Sequence, residues 1–125
     1  MKFAALALDY DGTIAFDGVF DPDVREAIGD ARRQGIVAAL VTGRRLADLH
    51  RVAGDLACFD VVVAENGAVL EFPSSGRHAR LGHVPSRAFL DELRRRGVPF
   101  AVGECVVEAG AEWAGRRRGC SKVNR

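Results

Sequence analysis

Long apolar runs are missing from this sequence. No stretch approaches the ~20 residues needed to span a bilayer, so no transmembrane helix is expected. The N-terminus carries one lysine and then enters the Leu6–Asp11 pattern without a small-residue cleavage site, which argues against a signal peptide. Cysteine is scarce and scattered. Cys58, Cys105 and Cys120 form no C-x-x-C pair, and no histidine stands at zinc-ligand spacing. That pattern excludes a disulfide framework and a zinc centre, and it suits reduced thiols in the cytoplasm. A dominant charge sign is also lacking: a net charge of +1 gives no general case for nucleic acid or membrane binding. Lysine itself is nearly missing, since only Lys2 and Lys122 stand among the 18 basic residues. No internal repeat is found. What remains is an ordinary globular composition, 48% hydrophobic and 28% charged, in a 125-residue chain long enough to bury one core.

The apolar pattern divides the first half into alternating elements. Phe3–Leu8 reads as a strand covered on both faces. Asp17-Gly18 between apolar-rich flanks signals a short hairpin. A helix follows: Asp21 caps it, Pro22 suits its first turn and Gly35 its stop, with Val24, Ala27, Ile28 and Ala31 on one face. Ile36–Val41 is a second buried strand ending at Thr42-Gly43. A second amphipathic helix carries Leu46, Leu49, Val52, Ala53 and Leu56, and Asp60–Val63 is a third strand ending near Glu65-Asn66-Gly67. Such alternation predicts an α/β fold with a parallel sheet.

Beyond Ala68 the texture changes. "AVLEF" is a short strand and "PSSGRHARLGH" is polar and loop-like. "PSRAFLDELRRRG" is a helix stopping at Gly97, and "VPFAVGECVVEA" gives two short strands broken near Gly103. Residues 109–125 have little apolar periodicity and are expected to form a basic, disordered tail.

Parallel pairing would bring three polar strand ends to one sheet edge, where open α/β sheets bind ligands. Strand one delivers Asp9 and Asp11, strand two Thr42, Gly43 and Arg44, and strand three Glu65 and Asn66. These residue types suit phosphoryl chemistry. Asp9 can attack phosphorus as a carboxylate nucleophile. Asp11 can protonate the leaving oxygen and then activate water, for which its ordinary pKa of ~3.9 would have to rise. The two acids repel, and Mg²⁺ held by Asp9 and Asp11 would relieve that. Thr42 and the free N–H groups that follow it suit a phosphate oxygen.

"DYDGT", "VTGR" and "ENGA" in this order resemble the haloacid dehalogenase-like phosphatases, in particular their Cof-like branch. The resemblance covers roughly residues 1–72. It implies a partial Rossmann-like parallel sheet with three family strands, followed by the start of an α+β cap. It also implies Asp9 as nucleophile, Asp11 as general acid/base, Thr42 as phosphate ligand and Asn66 beside the pocket. Gly43 and Arg44 complete the expected phosphate-binding set, and the Asp17-Gly18 hairpin becomes a flap over the pocket. Residues 1–72 then form the N-terminal part of the core, 73–108 an incomplete cap-like segment and 109–125 the tail.

Two family motifs are not found: a lysine that steadies the nucleophile, and a late G-D-x-x-x-D that completes the Mg²⁺ site. The only Gly-Asp pairs, Gly29-Asp30 and Gly54-Asp55, lie in or at the end of predicted helices. Lys2 lies at the wrong end of strand one and Lys122 in the tail. The expectation is a truncated phosphatase acting on a small phosphorylated metabolite, with weak Mg²⁺ affinity and low turnover. The alternative is a non-catalytic phosphate- or Mg²⁺-binding fragment that self-associates through an incomplete sheet edge. Glu65 reads as a solvated acid, and Thr42 also reads as a plain helix N-cap. Arg116–Arg118, Lys122 and Arg125 offer only a weak case for nucleic acid.

Overall fold

The computed structural model describes Lys2 and residues 4–110. Its main sheet has five strands in the order β1 (Ala5–Asp9), β4 (Val37–Val41), β5 (Val61–Ala64), β6 (Val69–Phe72) and β7 (Arg77–Arg80). β1, β4 and β5 run parallel, and β6 and β7 complete the sheet as antiparallel strands. The parallel neighbours need crossovers. Helices α1 (Pro22–Arg33) and α2 (Leu46–Ala53) lie between them in the chain.

Local chemistry sets the limits of these elements. The Asp21 carboxylate accepts the Asp23 N–H at 2.8 Å, so Asp21 caps α1 as expected. The hairpin also forms: β2 (Ala15–Phe16) pairs with β3 (Val19–Phe20) across Asp17 and Gly18, whose φ values of 53° and 79° are those of a two-residue type I′ turn. α3 (Arg87–Arg95) starts at Ser86, whose hydroxyl accepts the Phe89 N–H. β8 (Phe100–Val102) and β9 (Val107–Ala109) then form a separate antiparallel pair around Gly103.

Three expectations need correction. β1 is not covered on both faces: it is an outer strand of the sheet among the described residues, and Leu6 is 37% exposed. "PSSGRHARLGH" is not all loop, because β7 lies within it and carries the main sheet on to Arg80. Ala109 belongs to β9 rather than to a tail. Trp113, Cys120, Lys122 and the arginines from Arg116 onward lie outside the described residues.

The core draws on the hairpin, α1, α2, the parallel strands and the residues just before β5. Tyr10, Leu40, Leu49, Phe59, Val62 and Val69 are fully buried. Phe20 from the hairpin stacks on Phe59 at 5.9 Å and meets Tyr10 edge-on at 6.2 Å. The hairpin is therefore fastened to the same core that supports the strand ends.

Candidate active site

Asp9, Val41 and Val63 stand at one level across three parallel strands, because Asp9 pairs with Val41 and Val41 with Val63. Beyond this level Tyr10 and Thr42 leave the sheet, and β5 runs one residue further, to Ala64, before Glu65. The expected convergence is present: Asp9 and Asp11, Thr42–Arg44, and Glu65–Asn66 all emerge at one edge.

Asp9 and Asp11 are exposed, whereas Tyr10 between them is fully buried. The alternation of a strand puts the central residue on the opposite side from its neighbours. Asp9 Oδ1 accepts the Tyr10 N–H at 2.9 Å. The Tyr10 hydroxyl donates to the Gly18 carbonyl at 2.8 Å, so the residue between the acids also anchors the hairpin turn. Burial raises the Tyr10 pKa, which keeps that hydroxyl a donor. Tyr10 was overlooked as a support, although the period of two points it inward.

Arg44 reaches across from the end of β4 and grips Asp11 with both arms, Nε to Oδ2 and Nη2 to Oδ1, each at 2.8 Å. Its third nitrogen, Nη1, donates to Asp48 at 2.6 Å, and Arg51 also pairs with Asp48. The Arg44 hydrogen bonds hold the Asp11 carboxyl below its usual range. That is the opposite of the rise expected for acid duty: with the guanidinium on both oxygens, Asp11 stays ionised.

Thr42 is 4% exposed, and its hydroxyl accepts the Arg44 N–H at 3.1 Å. It is not the N-cap of α2. That position falls to Arg45, which makes no side-chain cap. Gly43 is required by a close approach: a Cβ there would stand 2.7 Å from Asn66 Oδ1. Asn66 sits at φ 58°, ψ 34° within the single 3-10 turn Glu65–Gly67, so its side chain lies against the Thr42–Arg44 segment.

Glu65 overturns the expectation of a solvated acid, for it is 1% exposed. Its Oε2 accepts N–H groups from Leu46 at 3.3 Å and Glu104 at 3.1 Å. Its Oε1 accepts those of Cys105 at 2.9 Å and Val106 at 3.1 Å. Burial alone would push this carboxyl up, but the four N–H donors reverse that, and its pKa lies below the ordinary value. One signal was available in the sequence: Arg45 is a poor N-cap, so the first N–H groups of α2 needed an acceptor from elsewhere.

Mg²⁺ characteristically takes one or two carboxylates and completes its shell with water and substrate phosphate. Asp9 and Asp11 meet that minimum in donor type. Among the described residues no group of three or more Asp, Glu, His or Cys side chains is gathered closely enough to hold an ion by itself.

Known proteins extend the comparison. The chain is similar to Thermoplasma acidophilum 0175, with 17% identity and a TM-score of 0.70, over 95% of this chain and 56% of that one. It is similar to a Bacteroides thetaiotaomicron protein analysed among the phosphatases of the haloalkanoate (HAD) enzyme superfamily. There the identity is 26% and the TM-score 0.60, over 94% of this chain and 46% of that one. A HAD subclass IIB sugar phosphatase matches at 22% identity and TM-score 0.56, over 90% of this chain and 46% of that one. The chain thus spans about half the length of these solved relatives. Residues 6–81 match the family described as haloacid dehalogenase-like hydrolase. That stretch holds the three strand ends and their acids, and by it the chain belongs to the haloacid dehalogenase-like hydrolases.

Proposed function

We propose that this fold serves a Mg²⁺-dependent phosphohydrolase of the Cof-like branch, acting on a small phosphorylated metabolite through an aspartyl-phosphate. The observation that carries this reading is the shared level of Asp9, Val41 and Val63, which sends the two acids, Thr42 and Asn66 out at one edge. Family membership and the phosphatases among the structural relatives support it.

The roles follow from position. An Asp9 carboxylate oxygen attacks phosphorus, and the bond from phosphorus to the leaving oxygen breaks. Asp11, released by Arg44 and in its acid form, gives that oxygen its proton and becomes the carboxylate. It then takes a proton from the water that attacks the aspartyl-phosphate, which releases phosphate and restores both Asp9 and the acid form of Asp11. Thr42, Gly43, Arg44 and Asn66 surround the phosphate oxygens. Because Arg44 holds Asp11 ionised, acid duty requires Arg44 to exchange Asp11 for the incoming phosphate, an anion that also accepts a two-armed guanidinium. Asp9 and Asp11 would hold Mg²⁺, which supplies charge neutralisation for the phosphate. Reduced Cys58 and Cys105, both unpaired, accord with a cytoplasmic setting. Among the described residues no helix is long and apolar enough to cross a membrane.

The test is phosphate release from p-nitrophenyl phosphate with and without Mg²⁺. Asp9→Asn is expected to lower turnover by roughly a thousandfold or more, since it removes the attacking oxygen. Equal turnover in the variant removes Asp9 as nucleophile.

A second reading has one observation in its favour. The outer side of β1 carries no partner strand among the described residues, and an open groove of about 450 Å³ beside it is lined by Leu6, Leu8, Ile14, Val24 and Ile28. An unpaired edge beside apolar surface invites pairing with another chain. On this reading the chain binds phosphate or Mg²⁺ without turnover and self-associates through β1. Sedimentation at rising concentration decides it: a monomer throughout, with full turnover, excludes it.

A further inference from the structure

Glu65 stands apart from the roles above, yet it touches three parts of the molecule at once. Its backbone and that of Asn66 are left-handed, at φ 54° and 58°, and Gly67 continues at 92°. Such non-glycine conformations are strained and persist only where the surroundings hold them. Two backbone bonds tie the turn to the segment that follows β4, Glu65 N–H to the Arg44 carbonyl at 3.0 Å and Asn66 N–H to the Thr42 carbonyl at 3.3 Å. The buried Glu65 carboxylate adds four accepted N–H groups from outside the turn. One comes from Leu46, at the uncapped start of α2. Three come from consecutive residues, Glu104, Cys105 and Val106, some forty positions away in the link between β8 and β9.

The loop is shaped to receive this side chain. A Cβ on Gly103 would stand 2.4 Å from Glu65 Oε1, so only glycine lets the carboxylate approach. A second tie lies alongside: Arg45, adjacent to the candidate phosphate ligand Arg44, pairs with Glu108 of β9 at 3.0 Å. The β8–β9 hairpin is thus fastened to the two turns, Thr42–Arg45 and Glu65–Gly67, that carry the candidate phosphate ligands.

We propose that Glu65 is a positioning residue: its buried carboxylate sets the left-handed turn that lays Asn66 against Gly43, and clasps the Gly103–Val106 loop to the rim as a fixed wall of the site. Its phosphate consequence rests on the phosphohydrolase reading; the clasp does not. Glu65→Gln is the direct test. An amide offers acceptors on one atom only and turns N–H donors toward two of the four backbone N–H groups.

Two measurements separate the parts. In amide hydrogen exchange, Glu65→Gln should speed Glu104, Cys105 and Val106 by about tenfold or more, the loss of little over one hydrogen bond's net worth. Leu40 and Val62 in the core strands should keep wild-type rates. In titrations with inorganic phosphate and Mg²⁺, followed at the Gly43 and Asn66 amides, the variant should bind about fivefold or more weakly. Wild-type exchange at 104–106 overturns the clasp. Altered exchange with unchanged phosphate affinity overturns the positioning of Asn66. If the wild-type Gly43 and Asn66 amides ignore phosphate, the phosphohydrolase reading falls, while the exchange data still decide the clasp. Should Glu65→Gln not fold, Gly103→Ala presses on the clasp from the loop side and leaves every core residue in place. The same selective acceleration is expected of it, and its absence overturns the proposal.

Discussion

At the scale of single residues, the Asp11–Arg44 pair decides what the strand ends can do. Both Asp11 oxygens face one guanidinium, and the pairing also pushes Arg44 still further toward its charged form. Asp48 shares Arg44, but its own carboxyl is lowered first by Arg51. This asymmetry yields a test with an internal control. In Arg44→Ala the Asp11 carboxyl should titrate higher, moving toward the ordinary ~3.9, because the opposing charge and two hydrogen bonds are gone. Asp48 should move less, since Arg51 remains. Carboxyl ¹³C shifts followed against pH read both groups in one experiment; an unmoved Asp11 midpoint would show that Arg44 does not govern it. The acids, Thr42 and Asn66 were legible in the sequence because each follows an apolar run. The Arg44–Asp11 grip was not, since it spans strands 33 residues apart. Glu65 was read the wrong way for a similar reason: three of its four partners lie about forty positions downstream.

At the scale of elements, legibility followed burial. α1 was readable at both ends because capping chemistry is local: Asp21 and Pro22 at the start, Gly35 at φ 85° after the stop. β4 and β5 were readable from their apolar runs, although burial is complete only at alternate residues, Ala38 and Leu40 in β4 and Val62 and Ala64 in β5, while Val37 and Val41 are exposed. β7 was missed because all four of its residues are exposed, and nothing about burial shapes "RHAR". Its arginines instead suit an outer strand, where charge discourages further pairing. The hairpin was found from Asp17-Gly18 alone, and the same turn gives a prediction. Gly18 sits at φ 79°, which a β-branched residue tolerates poorly, and its carbonyl receives the Tyr10 hydroxyl. Gly18→Val should cost about 1–3 kcal/mol of stability by urea denaturation. Retained stability would mean that the turn has rearranged, and the Tyr10–Gly18 bond would then be absent from the variant's structure.

At the scale of the whole molecule, two carboxylates join segments that no local rule connects. Asp60 opens β5 from its amino side: it accepts the Ala38 N–H at 2.8 Å and pairs with Arg32 of α1 at 2.8 Å. Glu65 closes the same strand from its carboxyl side and holds α2 and the β8–β9 loop. Asp60 is lowered first by the hydrogen bond from Ala38, and Glu65 ends below its ordinary value despite burial. A carboxyl lowered in the folded state contributes stability that is complete above its unfolded pKa, ~3.9 for Asp and ~4.3 for Glu. That stability is lost as pH falls through the folded value. Unfolding free energy from urea titrations should therefore hold level from neutral pH down to about 5 and decline below about 4.5 as these groups take up protons. Glu65→Gln should start roughly 2–4 kcal/mol lower at neutral pH, because N–H donors are left without a charged acceptor. It should then fall less steeply with acid than the wild type, since one lowered carboxyl has been removed. Parallel declines in the two proteins would show that Glu65 does not titrate below its unfolded value, and that the four N–H groups do not favour its charged form.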